Sequence, residues 1–93
     1  MTLTSKSLIT SERASIYLQQ LCKHFGHKTE VTFTPQDGEI AFPFGHCKLT
    51  ATGDLLTMIV SADDEESLKR TEQVVGSHLE RFAFKEQPQI HWN

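Results

Sequence analysis

Two short stretches concentrate the side chains able to do chemistry. Cys22-Lys23-His24-Phe25-Gly26-His27-Lys28 holds a thiol, two imidazoles and basic groups, and His46-Cys47 adds a second cysteine and another histidine. Cysteine and histidine at this density invite a zinc reading, because closed zinc sites take four such ligands. Helix geometry argues against it. At about 100° per residue, Cys22 and His24 project about 200° apart around a helix and cannot share one ion. His24 and His27 can approach across a last turn, but no third and fourth ligands are defined, so neither a metal nor another cofactor is expected. A Cys47 nucleophile with His24, His27 or His78 as base is the other catalytic option. It requires a group to orient the base and a donor for the developing oxyanion, and the sequence marks neither. There is no glycine-rich phosphate loop, nucleophile elbow or HExxH pattern. The basic groups around Lys28 can instead receive an anion beside exposed backbone N–H groups. The candidate binding residues are therefore His24, His27, Lys28, Cys47 and His78, with no catalytic set.

Other polar features have blander explanations. The acidic run over 63–66 suits the positive end of a helix dipole. His78 precedes apolar Leu79 on a helix flank and is expected at the core boundary. Arg81, Lys85 and Trp92 fit surface ion pairs and a closing aromatic better than a binding trio.

The elements that must position these residues follow from the hydrophobic periodicity. Ala14, Tyr17, Leu18, Leu21 and Phe25 recur on one helical face, which predicts a helix over 10–25 capped by Thr10 or Ser11 and ended by a left-handed Gly26. From 29 to 62 the period falls to two. Val31 and Phe33 alternate until Pro35, and Asp37-Gly38 signals a hairpin before Ile40, Phe42 and Phe44. Cys47, Leu49 and Ala51 form the next strand, and Thr52-Gly53-Asp54 turns into a strand over 55–62. Asp63 with Glu66 resembles a capping box opening a second helix to Phe82, with Leu68, Val75, Leu79 and Phe82 as its stripe. Ile90 and Trp92 alternate in a short closing strand over 89–93.

The expected fold is α+β: an antiparallel sheet of four to five strands, in the order α-β-β-β-β-α-β. Both helices should cover the face carrying Val31, Phe33, Ile40, Phe42, Leu49, Leu56, Met58 and Val60, since each has one stripe to bury. Leu55 and Ile59 then project from the opposite face and form a candidate interface. Cys22 and Cys47 are expected to be reduced and unpaired, Cys47 toward the core.

Composition narrows the function classes. The chain has 93 residues, 38% hydrophobic and 23% charged, which suits one folded domain over 1–93 rather than a disordered segment. A formal charge of -3 is the wrong sign for binding a phosphate backbone, so nucleic acid is not an expected partner. No apolar run approaches the roughly 20 residues that span a bilayer, and residues 1–9 lack the apolar region of a secretory signal. Cytoplasmic location is expected.

The run Tyr17-Leu18-Gln19-Gln20-Leu21-Cys22-Lys23-His24-Phe25-Gly26-His27-Lys28 resembles the hallmark of a bacterial family, domain of unknown function 2218. Matches at Gly38, Phe42-Pro43, Gly45, Cys47, the segment 78–86, Ile90 and Trp92 extend the resemblance over nearly the whole chain. The departures are Gly26 and Lys85, where the family favours alanine and arginine. The resemblance implies a small module similar to the TATA-binding-protein-like architecture, without carrying DNA binding over. Similar domains occur joined to siderophore-interacting, flavin-dependent reductase-like proteins. The preferred expectation is a non-catalytic accessory or ligand-binding module linked to iron or siderophore handling, with such a reductase or a small ligand as partner. The alternatives are a Cys/His-dependent enzyme or metal protein, and a structural homodimer.

Overall fold

The computed structural model describes residues 2–27, 29–86 and 90–93. Its elements are β1 (Leu3–Thr10), α1 (Ala14–Phe25), β2 (Glu30–Phe33), β3 (Asp37–Phe42), β4 (Gly45–Thr52), β5 (Leu55–Ala62) and α2 (Glu65–Phe82). The five strands form one antiparallel sheet in the order β1-β5-β4-β3-β2. From β1 at one edge, α1 carries the chain to β2 at the other, and the meander returns strand by strand until β5 lies beside β1.

The α-β-β-β-β-α run stands as the periodicity predicts, but the two ends differ. Residues 3–10 form a strand paired with β5 along its full length, from Leu3 opposite Ala62 to Thr10 opposite Leu55. The expected closing strand over 89–93 is not one: Gln89 and Pro88 lie outside the described residues, and 90–93 has no strand conformation. Asn93 alone exchanges two backbone hydrogen bonds with Lys6, both at 3.0 Å, on the free side of β1. The sequence disguises β1 because its inward positions are Leu3, Ser5, Ser7 and Ile9 while Leu8 points outward, 53% exposed. Period two is present with its polarity scrambled.

Helix and turn ends also shift. Thr10 closes β1, so α1 starts at Ala14 with Arg13 as N-cap; Ser11 Oγ accepts the Arg13 N–H at 3.0 Å without capping the helix. Gly26 stays right-handed (φ -62°), its N–H bonded to the Cys22 carbonyl. Asp37 and Gly38 belong to β3, and the turn is made by Thr34 to Gln36, where Thr34 Oγ1 accepts the Asp37 N–H at 3.0 Å. Asp64, rather than Asp63, caps α2 by accepting the Ser67 N–H at 2.7 Å. These bonds hold the Asp64 carboxyl below its ordinary range. Gly53 adopts φ +58° in the last hairpin, which glycine enters without a Cβ penalty.

Both helices bury their stripes on one face of the sheet. Leu18, Leu21, Val75 and Leu79 meet Ile40, Leu49, Leu56, Met58 and Val60, all fully buried, and each such side chain contributes about 1.5–3 kcal/mol. Two glycines permit the close approach. A Cβ on Gly38 would lie 2.7 Å from Cys22 Sγ. One on Gly45 would run into the Thr71 hydroxyl and come within 2.8 Å of the Ser61 carbonyl oxygen. Among the described residues no helix is long and apolar enough to cross a membrane.

Two substitutions test this packing by urea denaturation. Gly45→Ala must displace backbone as well as Thr71, and is expected to cost about 1–3 kcal/mol. Gly76 lies inside α2, where the nearest atoms to an added Cβ would be those of Trp92 and Ile90, at ordinary contact distances of 3.7–3.9 Å. Gly76→Ala should therefore raise stability by about 0.5–1 kcal/mol through helix propensity; a loss would contradict the placement of Trp92 over α2.

Candidate functional site

The last turn of α1 and the middle of α2 meet on the covered side of the sheet, and their flanks carry the histidines. His24 and His78 pack together with ring centroids 4.7 Å apart and planes tilted by 43°. Phe25 lies 5.2 Å from His24 and 4.8 Å from His78, and Phe82 meets His24 edge-on at 5.8 Å. The aromatic chain continues from Phe25 to Phe42 at 5.0 Å and from Phe42 to Phe44 at 5.3 Å, where the Arg70 guanidinium sits 4.6 Å above the Phe44 ring. Such edge-to-face and cation–π contacts add specificity to ordinary burial.

His78 Nδ1 lies 2.7 Å from the Val74 carbonyl oxygen, one helical turn earlier. A carbonyl only accepts, so this nitrogen carries the proton, and Nε2 holds the lone pair in the neutral ring. Beside this pair opens a cleft of about 380 Å³ lined by His24, His78, Arg81 and Phe82. It combines flat π surfaces, imidazole nitrogens and one guanidinium. These groups can clamp a planar molecule and bind a negative charge through charge-assisted hydrogen bonds.

The other candidates are dispersed. His27 lies beyond the end of α1 and is exposed, while the ring of His24 packs beside that of His78. Lys28 lies outside the described residues. Cys47 sits on β4 opposite Ile40, fully buried. Burial pushes its thiol up to about 12, with the nearby Cys22 adding to the shift, and burial alone pushes Cys22 up to about 11. This is opposite to what a nucleophile needs. Both thiols are free and buried, Cys22 within the helix stripe. Among the described residues no three His, Cys, Asp or Glu side chains converge to hold a metal. Leu55 and Ile59 lie on the open face, half-buried and 36% exposed respectively.

Arg81 and Phe82 enter the site although sequence reasoning put Arg81 in a surface ion pair. Their signal was available: at three and four residues after His78 they share its helix face. A second polar cluster had no such signal. Glu86 accepts hydrogen bonds from Ser11 Oγ at 2.9 and 3.0 Å and from the Tyr17 hydroxyl, partners 75 and 69 residues away in sequence. This carboxylate ties the segment after α2 to the start of α1.

The thiol environments make a direct prediction. Modification of Cys22 and Cys47 by an aromatic disulfide reagent should be slow in the native protein and accelerate with denaturant. Labelling of native protein at the rate of an unfolded control would refute the burial. In the interval between about 9 and the raised values, the unfolded chain loses thiol protons that the folded chain retains, so stability falls as pH rises. The Cys22→Ala/Cys47→Ala protein should show a shallower alkaline loss in denaturation midpoints.

Comparison with known proteins agrees with this fold. A search of functionally curated proteins finds no match. The NMR structure of PA4090 from Pseudomonas aeruginosa is similar, with a TM-score of 0.82, 42% sequence identity, and coverage of 97% of this chain and 94% of that one. Residues 6–93 match the sequence profile of uncharacterised proteins conserved in bacteria, DUF2218. A match over almost the whole chain, joined to the same sheet and helices in a relative of this identity, makes the protein a member of the DUF2218 family.

Proposed function

We propose that the protein is a non-catalytic ligand-binding module acting in the cytoplasm as an accessory to iron or siderophore handling, and that it binds a small planar anion in the His24–His78–Arg81–Phe82 cleft. The observation that supports this reading most is the pairing of two tilted imidazoles, one met edge-on by Phe82, with Arg81 in the same cleft of about 380 Å³. Flat rings favour a planar ligand through stacking, and the guanidinium favours a carboxylate or phenolate over a neutral group. Aryl acids and catechols, from which many siderophores are built, have this chemistry. The cleft is small, so a fragment or one arm of a larger chelator fits it better than a whole one.

The enzyme reading is disfavoured by Cys47. Its side chain faces the core, and its raised pKa opposes thiolate formation.

Titration with salicylate, followed by amide and side-chain NMR shifts, tests the proposal. Shifts are expected to cluster at His24, His78, Arg81 and Phe82, and Arg81→Ala should weaken binding about tenfold or more, the worth of a hydrogen bond to a charged group. Shifts confined to other surfaces would reject the cleft. Stoichiometric zinc or iron in protein purified without an affinity tag, or turnover lost on Cys47→Ala, would reverse the choice in favour of a metal protein or an enzyme.

A further inference from the structure

The face of the sheet opposite the helices carries an aliphatic stripe and a graded charge pattern. In the ladder between β1 and β5, Leu8 stands opposite Thr57, two residues along from the Thr10–Leu55 pair on one side and from the Lys6–Ile59 pair on the other. Leu55, Leu8 and Ile59 therefore zigzag across the two strands within the diagonal reach of large side chains. Leu8 is 53% exposed and Ile59 36%. One row perpendicular to the strands reads Lys6, Ile59, Lys48, Glu39, Thr32 from β1 to β2. The adjacent β3 and β2 positions add Asp37 and Glu30. The β1–β4 side of the face is thus basic and the β3–β2 side acidic.

We infer that this face binds a second copy of the chain, sheet against sheet, about a two-fold axis running parallel to the strands between β5 and β4. Such an axis preserves each row while reversing the strand order. It places Lys6 of one copy against Glu39 of the other, twice, lays the methylene stem of each Lys48 over the other copy's Ile59, and in the next row sets each Leu8 beside the other copy's Asp37. An axis running across the strands would instead oppose Lys6 to Lys6, so the charge pattern selects the orientation. Area agrees with this occupant. Strands about 4.8 Å apart, rising about 3.3 Å per residue, give the open face on the order of 500–600 Å². With the axis between β5 and β4 each copy's β2 overhangs, so the four overlapping strands of the two copies together bury on the order of 900 Å², the size of a weak interface that dissociates on dilution.

Sedimentation equilibrium of the whole protein, with folding of each variant checked by circular dichroism, tests the inference. The wild type should be dimeric at high micromolar concentration, and Leu8→Asp should be monomeric. Lys6→Glu and Glu39→Lys, each entering the interface twice, should separately weaken association about tenfold or more, and the double charge swap should restore it. A monomeric wild type overturns the inference, whether or not another protein or an apolar ligand takes the face. So does a dimer indifferent to these substitutions, or a charge swap that fails to rescue. Should Leu8→Asp not fold, the exposed charge variants decide the question alone.

Discussion

Each helix of this protein has one apolar stripe, and the sheet has one face apolar enough to receive it. Both helices must therefore share that face, which sets the positions of the remaining parts. Sharing a face makes α1 and α2 neighbours, so the flanks of their stripes come together and His24 meets His78. It also leaves the other face without cover from this chain. The two candidate surfaces, cleft and open sheet, are consequences of the same packing constraint.

Close approach between the layers is obtained by omission of side chains. Gly38 lets Cys22 reach the sheet, and Gly45 lets Thr71 descend onto the first residue of β4. The Thr71 hydroxyl stays satisfied by donating to the Ser67 carbonyl at 2.8 Å, so α2 brings no unpaired donor into the core there. Polar groups are handled less fully along β1. Ser5 donates to the Asn93 carbonyl, while the buried Ser7 hydroxyl has no partner among the described residues. That strand is held by its backbone ladder to β5 and by Ile9, with little help from its own hydrophobicity.

The chemistry of the two cysteines shows how burial overrides residue type. The neighbouring sequence places them among histidines and lysines, where a thiol would be activated. The fold instead removes both from water, raising their pKa values. The histidine that gains a defined state is His78, whose proton is held by a carbonyl of its own helix. The cleft left by this arrangement is aromatic and cationic, and the proposed binding of a planar anion rests on that character.

Sequence alone determined the central run of two helices and four strands, the family, and which strand face is covered, because these depend on local periodicity that a chain carries in its own spelling. Leu55 and Ile59 were legible as outward-facing for that reason. The tertiary structure decided the rest. β1 was illegible because Ser5 and Ser7 point inward and Leu8 outward, so only pairing with β5 reveals it. In the described part of the terminal segment, 90–93, only Asn93 pairs with the free edge of β1, a contact that alternation in the sequence does not reveal. The meeting of His24 with His78, and of Glu86 with Ser11 and Tyr17, joins residues far apart in sequence. Such contacts arise from the crossing of whole elements, and no spacing within a single element encodes them.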